Sequence, residues 1–103
     1  MKSKQVFENI VYLTGRVSGS PSARSLPSGD EVVEFRLVVE RDDREGVDTL
    51  DIASWSSILR KRALKFEDQD WVSIEGVLRR RFWRTGKSLA SRWQVEARQL
   101  LRH

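Results

Sequence analysis

Apolar and polar residues alternate along much of this chain. In residues 9–17, Val11, Leu13 and Val17 fall on one side and Tyr12 and Thr14 on the other, which is the period of two that a half-buried strand requires. The alternation returns further along the chain, and a last strand is predicted close to the C-terminus. The five predicted strands span residues 9–17, 31–41, 48–55, 71–83 and 92–101.

Turn-forming residues separate the predicted strands. Residues 18–30 are rich in Ser, Pro and Gly and predict a loop or a hairpin tip, and the charged residues 42–46 predict a hairpin turn. Residues 85–88 predict another turn. Gly76 lies inside the long fourth strand and predicts a bend, because a residue without a side chain lets a strand coil sharply.

One segment has helical spacing instead. Leu59, Ala63 and Phe66 recur at intervals of four and three among basic residues, and Ser56 and Ser57 before them are residues that cap helix N-termini. This pattern predicts a short amphipathic helix over residues 58–66, between the third and fourth strands.

The order of these elements predicts the fold. Three strands, a helix and two strands are the layout of an all-β, five-stranded OB-fold barrel with Greek-key connections. A Greek-key sandwich would contain more strands and no helix, and an SH3-like barrel rarely carries such a helix at this place. The 103 residues are expected to form one domain, residues 1–103, which is large enough to bury a core without metals or disulfides.

The residue inventory narrows the chemistry. The chain has no cysteine, which excludes disulfides, thiolate zinc sites and cysteine nucleophiles, and its single histidine is His103. The sequence has neither a phosphate-binding glycine loop nor metal-ligand spacing, and the acidic pairs at 42–43 and 68–70 occupy turn positions. We therefore expect no catalytic residue, no metal and no cofactor.

The N-terminal residues 1–5 are polar and are not followed by the apolar segment of a signal peptide. No apolar run approaches the length of a membrane span. The sequence thus predicts a cytoplasmic protein without a membrane partner.

Basic and aromatic residues are concentrated in residues 78–93. This segment carries six basic residues, three large aromatics and no acidic residue, whereas the whole chain has a net charge of +4, so the rest of the chain is net acidic. Phosphates supply the matching negative charge, and unpaired bases supply flat faces on which aromatic side chains stack. A merely solvated strand face is the alternative, but such a face normally includes Glu and Asp. The segment therefore favours a nucleic-acid surface.

These features together resemble the bacterial single-stranded DNA-binding protein (SSB) family over nearly the whole length of the chain. Residues 9–17 are similar to that family's opening strand, residues 27–29 and 33–37 to its second strand, and residues 72–79 to its fourth. The resemblance implies single-stranded DNA as the partner and a homo-oligomer of two or four chains. It also implies a role in DNA replication, repair or recombination at the nucleoid.

The resemblance further implies positions for base-stacking aromatics, namely Trp55 at the end of the third strand and Trp83 after the fourth-strand arginines. The chain differs from the family at two further stacking positions, near which Asp43 and Thr49 stand. The family's long C-terminal extension with its acidic tip has no counterpart before His103. Recruitment of repair proteins by such a tail is therefore not expected.

The alternation within each strand indicates whether a candidate side chain faces solvent or the core. Trp83 shares a face with Arg79 and Arg81, which favours base stacking over a place at the edge of the core. For Trp55, stacking and cover for the helix both remain open, and for Trp93 so do packing and binding. The predicted nucleic-acid contacts are Trp55, Arg79, Arg81, Trp83, Arg84, Lys87, Arg92 and Trp93.

The sequence accordingly predicts a non-enzymatic protein that binds single-stranded DNA with little dependence on base sequence. Its mechanism would combine a basic groove that follows the phosphates with aromatic side chains that stack the bases. Two other functions remain open: an OB-fold adaptor of the replication-restart kind that acts mainly through protein contacts, and a binder of single-stranded RNA.

Overall fold

The computed structural model describes residues 5–103, so the prediction for residues 1–4 of the polar N-terminus lies outside the described residues. Five strands and one helix follow one another in the predicted order. Their bounds are β1 Val11–Ser25, β2 Glu31–Glu40, β3 Val47–Ser54, α1 Ser57–Leu64, β4 Trp71–Thr85 and β5 Ser88–Arg102.

The five strands close into a barrel in the order β1, β2, β3, β5, β4. Four of the pairings are antiparallel, and β3 meets β5 in parallel where Ile52 and Ala53 lie opposite Val95 and Glu96. The helix lies between β3 and β4 in the chain. The predicted all-β OB-fold barrel with one short helix is confirmed.

The core fills the barrel with the apolar residues that the alternation pointed inward. Val17, Leu37, Ile52 and Val72 are fully buried. Phe35 also lies in the core, as its place in the alternation of β2 indicates, and its ring meets that of Phe66 edge to face at 5.4 Å. A T-shaped contact of this kind adds about 0.5 to 1.5 kcal/mol to the burial of the two rings, so Phe66 fastens the end of the helix to the barrel.

The helix begins where the sequence predicts a cap. Ser56 is the N-cap, and its hydroxyl accepts a hydrogen bond of 3.2 Å from the backbone N–H of Leu59. The hydroxyl thereby satisfies one of the unpaired N–H groups at the helix start. The helical segment is shorter than predicted at its C-terminal end, because it ends at Leu64 and Phe66 lies in the connection to β4.

The prediction of a loop over residues 18–30 is wrong for its first part. β1 continues to Ser25 and pairs with β2, after an irregularity between Ser18 and Ser22 that contains Gly19 at φ 79° and Pro21. A bulge tolerates both residues, and hydrogen bonding to β2 outweighs the local preference for turns. Only the tip, residues 26–30, is a turn.

The bend predicted at Gly76 coincides with an irregularity in the pairing of β4 with β5. The register shifts between Glu75 and Gly76, which leaves Arg98 of β5 without a partner in β4, and a Cβ atom at Gly76 would collide with the carbonyl oxygen of Glu96. The close approach of the two backbones therefore requires glycine at this position.

Beyond Gly76, β4 and β5 leave the barrel together. Residues 79–85 pair with residues 88–94, and within the described chain these segments have no other strand beside them. A two-residue turn at Gly86 and Lys87 joins them, with Gly86 at φ 59°, and β5 therefore begins at Ser88, earlier than predicted. We call this projection, residues 79–94, the ribbon.

The connection from the helix to β4 confirms turn chemistry for the acidic pair at 68–70. Asp68 accepts a hydrogen bond of 2.7 Å from the backbone N–H of Gly19, and Asp70 accepts one of 2.8 Å from that of Glu67. These N–H donors stabilise the ionised carboxylates and lower the pKa of both residues. Within residues 5–103, no group of three or more His, Cys, Asp or Glu side chains is placed to hold a metal ion.

No helix in the described part of the chain is long and apolar enough to cross a membrane.

Candidate nucleic-acid interface

A groove of about 570 Å³ lies between one face of the ribbon, the end of β3 and the tip that joins β1 to β2. Trp55, Arg81, Trp83 and Arg92, all predicted contacts, line it. Arg24, Leu26, Glu34 and Gln94 complete its walls together with Pro27 and Phe82. We call this concavity the groove.

The two tryptophans of the groove are presented differently. Trp83 stands on the ribbon with 44% of its surface exposed, on the same face as Arg81 and opposite Ala90 of β5. Trp55 follows the last residue of β3 and is half-buried. The guanidinium carbon of Arg81 lies 4.7 Å from the centre of the Trp55 ring, which is cation–π distance. The Trp83 ring is therefore accessible from solvent, whereas the Trp55 ring is partly covered by a cation.

Two donors beside this contact lack acceptors. The Nε of Arg81 and the Nε1 of Trp55 are both buried, and neither has a hydrogen-bond partner within the described residues. A buried donor without an acceptor costs about 1 to 3 kcal/mol. An incoming ligand rich in acceptor oxygens, such as a phosphate or a base carbonyl, would relieve that cost once Arg81 moves to meet it.

Each arginine on this face is paired with a carboxylate. Arg79 and Arg81 approach Glu96 at 3.3 and 3.4 Å, and Arg92 approaches Asp51 at 2.8 Å. The arginine side chains are 39 to 48% exposed, whereas those of Glu96 and Asp51 are only 16% and 30% exposed. The carboxylates therefore hold the arginines in position, and the solvent-exposed part of each guanidinium stays open to a competing anion such as a phosphate.

Glu34 is held from two sides. It receives a hydrogen bond of 2.7 Å from the Nε2 of Gln94, which is buried, and it forms an ion pair of 3.0 Å with Arg24. Arg24 comes from the part of β1 that the sequence predicted to be loop. The tip of β1 and β2 is thus tied across the groove to the ribbon.

The structure does not bring all predicted contacts together. Trp93 lies opposite Arg80 and Arg84 opposite Leu89, and the alternation of the strands puts both pairs on the other face of the ribbon from Trp83. Lys87 is at the turn. Of the eight predicted residues, those on the groove face are Trp55, Arg79, Arg81, Trp83 and Arg92.

Sequence reasoning missed Arg24, Glu34, Gln94 and the carboxylates that pair with the arginines. Gln94 and Glu34 lie 60 residues apart, so no local pattern joins them. The alternation of β2 placed Glu34 on the solvent-facing side of the strand. Its place in the groove depends on the order of the strands in the barrel, which alternation alone does not give.

Polar side chains stand near the two positions at which the SSB family has further stacking aromatics and this chain has none. Asp43 forms an ion pair of 3.0 Å with Arg41 in the turn between β2 and β3, and this donor lowers the pKa of Asp43. Thr49 is exposed on β3. Among the described residues, the aromatic side chains that line the groove are Trp55, Phe82 and Trp83.

Comparison with known proteins places these features in context. The model of the Single-strand binding protein family matches residues 8–101. A single-stranded DNA-binding protein of Aquifex aeolicus is 30% identical over 82 residues, which cover 73% of this chain and 56% of that protein. The chain thus spans little more than half the length of this curated relative.

A solved structure has a similar barrel. The structure of a Plasmodium falciparum SSB complex with ssDNA superposes with a TM-score of 0.77 at 23% sequence identity, over 100% of this chain and 99% of that one. At this identity the likeness establishes the fold.

Proposed function

This chain belongs to the single-strand binding protein family, and we propose that it binds single-stranded DNA with little dependence on base sequence. The observation that carries the proposal is the groove, where the exposed ring of Trp83 stands beside Arg81 and Arg92 on one face of a projecting ribbon. An unpaired strand exposes bases, which stack on flat aromatic rings, and phosphates, which bind cations.

The proposed mechanism proceeds by exchange of partners. A base stacks on Trp83, which contributes about 1 to 3 kcal/mol, and the neighbouring phosphates take Arg81 and Arg92 from Glu96 and Asp51. Movement of Arg81 exposes the Trp55 ring to a second base. Because ring faces and phosphates are common to every nucleotide, little sequence selection results.

The proposal is for binding without catalysis. The only histidine is the terminal His103, and the chain has no cysteine. The acidic residues close to the groove, Glu34, Asp51 and Glu96, are each engaged by an arginine or a glutamine rather than grouped around a cation site. A binding role in replication, repair or recombination, in the cytoplasm at the nucleoid and as a dimer or tetramer, is part of the same proposal.

A titration tests this function. Labelled single-stranded DNA, duplex DNA of the same length and single-stranded RNA are each titrated with the protein at two salt concentrations. We expect the single DNA strand to bind more tightly than the duplex, because a duplex hides the base faces that Trp83 needs. Equal affinity for both would reduce the groove to a general basic patch, and tighter binding of RNA would change the assigned partner.

A further inference from the structure

The face of the ribbon opposite the groove carries its own exposed aromatic residues. Phe82 and Trp93 are 56% and 57% exposed, and Leu89 is also exposed. This face continues the interior face of the barrel: next to Trp93 in the alternation comes Val95, which is buried in the core. The ribbon extends past the other strands, so residues in core-facing positions reach solvent here. We call the face that carries Arg80, Phe82, Arg84, Leu89 and Trp93 the second face.

The aromatic residues of the second face are organised around one arginine. The guanidinium carbon of Arg80 lies 5.0 Å from the centre of the Phe82 ring and 5.6 Å from that of Trp93. Its Nε and Nη2 donate hydrogen bonds of 3.2 and 3.0 Å to the hydroxyl of Ser91. Contacts with three residues therefore hold a cation between two aromatic rings before any ligand is present.

The charge of the second face is not compensated. Within residues 5–103, Arg80 and Arg84 of this face and Lys87 at the adjoining turn form no ion pair with a carboxylate, whereas Arg79, Arg81 and Arg92 on the groove face all do. The sequence from 78 to 93 contains no acidic residue at all. Of the two faces, the second face therefore attracts a polyanion more strongly per arginine.

We propose that the second face binds a further segment of the same single strand of DNA, so that the strand passes around the ribbon from the groove. The proposal rests on the proposed function and extends it. Phe82 supplies the continuity, since it lines the groove and also carries the Arg80 contact of the second face. The ribbon is a single sheet in thickness, so a strand that leaves Trp83 meets Phe82 and then Trp93.

A second copy of this chain is a poorer occupant of the second face. In a two-fold symmetric contact the same patch meets itself, which would bring Arg80, Arg84 and Lys87 of two chains together without a carboxylate between them. Single-stranded DNA supplies one phosphate per nucleotide for these cations and a base for each exposed ring.

The test compares oligonucleotides of two lengths, about 6 and about 25 nucleotides, since a single OB fold covers about 4 to 16. The short strand fills the groove, and the long one reaches the second face. Trp93→Ala should weaken binding of the long strand by about 5-fold to 100-fold and leave the short strand within about 2-fold, while Trp93→Phe restores most of the loss. Trp71→Ala is the matched control, because Trp71 is 53% exposed at the opposite end of β4.

Three results would overturn the inference. One is a long-strand affinity of Trp93→Ala equal to that of the wild type. Another is equal weakening of the short and long strands, which would make Trp93 part of the groove. The third is a smaller mass of the DNA-free Trp93→Ala protein than of the DNA-free wild type in light scattering, which would assign the face to a second copy. Failure of the proposed function looks different: the wild type would not bind the short strand, or Trp83→Ala would bind it unchanged.

Discussion

The guanidinium of Arg81 lies over the ring of Trp55, 4.7 Å from its centre, and the same guanidinium reaches Glu96 at 3.4 Å. Glu96 therefore holds Arg81, a cation that can bind a phosphate, against Trp55, a ring that can stack a base. In this arrangement Glu96 keeps Arg81 in place and at the same time competes with the phosphate for it.

Removing the charge of Glu96 should strengthen binding. Glu96 lies within 3.4 Å of Arg79, Arg81 and Arg98, so Glu96→Gln leaves these cations without their carboxylate. We expect affinity for single-stranded DNA to rise about 2-fold to 5-fold at low salt, with a steeper salt dependence. Fluorescence titration at several salt concentrations measures both quantities.

Asp43→Asn is the matched control for Glu96→Gln. It changes the net charge by the same amount, but Asp43 is in the turn between β2 and β3, where its partner is Arg41. Equal gains from the two substitutions would mean that only the total charge matters and that Glu96 does not compete with phosphate.

The close approach of β4 and β5 at Gly76 depends on the missing side chain of this residue. Gly76→Ala places a Cβ against the carbonyl oxygen of Glu96, so β4 and β5 must separate at the base of the ribbon. We expect a loss of about 1 to 3 kcal/mol in the free energy of unfolding, measured by urea denaturation. An unchanged urea midpoint would show that the two strands are not held together at this point.

The turn before β4 predicts an acid dependence of stability. The pKa values of Asp68 and Asp70 are lowered from the usual 3.8 chiefly by backbone N–H donors. A carboxyl whose folded pKa is lowered contributes stability that is complete above its unfolded pKa and is lost as the pH falls through the folded pKa. The double variant Asp68→Asn and Asp70→Asn should therefore be less stable than the wild type near pH 7, with a difference that shrinks below about pH 4. Urea unfolding from pH 7 to pH 2 measures this, and a difference that does not vary with pH would contradict it.

The salt dependence reports how many phosphates the protein contacts. If about four arginines exchange carboxylates for phosphates, log K for a single strand should fall against log salt with a slope of about −3. The second face steepens this slope for a long strand relative to a short one. A slope near zero would remove the electrostatic part of the mechanism.

Alternation and helical spacing were sufficient to predict the barrel, because each strand buries one face and the helix has a different period. They failed at residues 18–25, where pairing with β2 overrides a composition typical of turns. For the groove, alternation correctly grouped Arg79, Arg81 and Trp83. Their carboxylate partners come from other strands, so charge compensation became visible only in three dimensions. Trp93 illustrates the same limit, since its place opposite Arg80 depends on the register of the turn at Gly86.

The most direct test of the central claim is the affinity of Trp83→Ala for single-stranded DNA, measured together with its urea midpoint and beside Trp71→Ala. Trp83 is 44% exposed and lines the groove, so the account predicts binding weakened by about 1 to 3 kcal/mol, a urea midpoint close to that of the wild type, and unchanged binding by Trp71→Ala. Unchanged affinity in a folded Trp83→Ala protein would contradict the account, as would a loss of about 3 to 5 kcal/mol in stability, the cost of truncating a core residue.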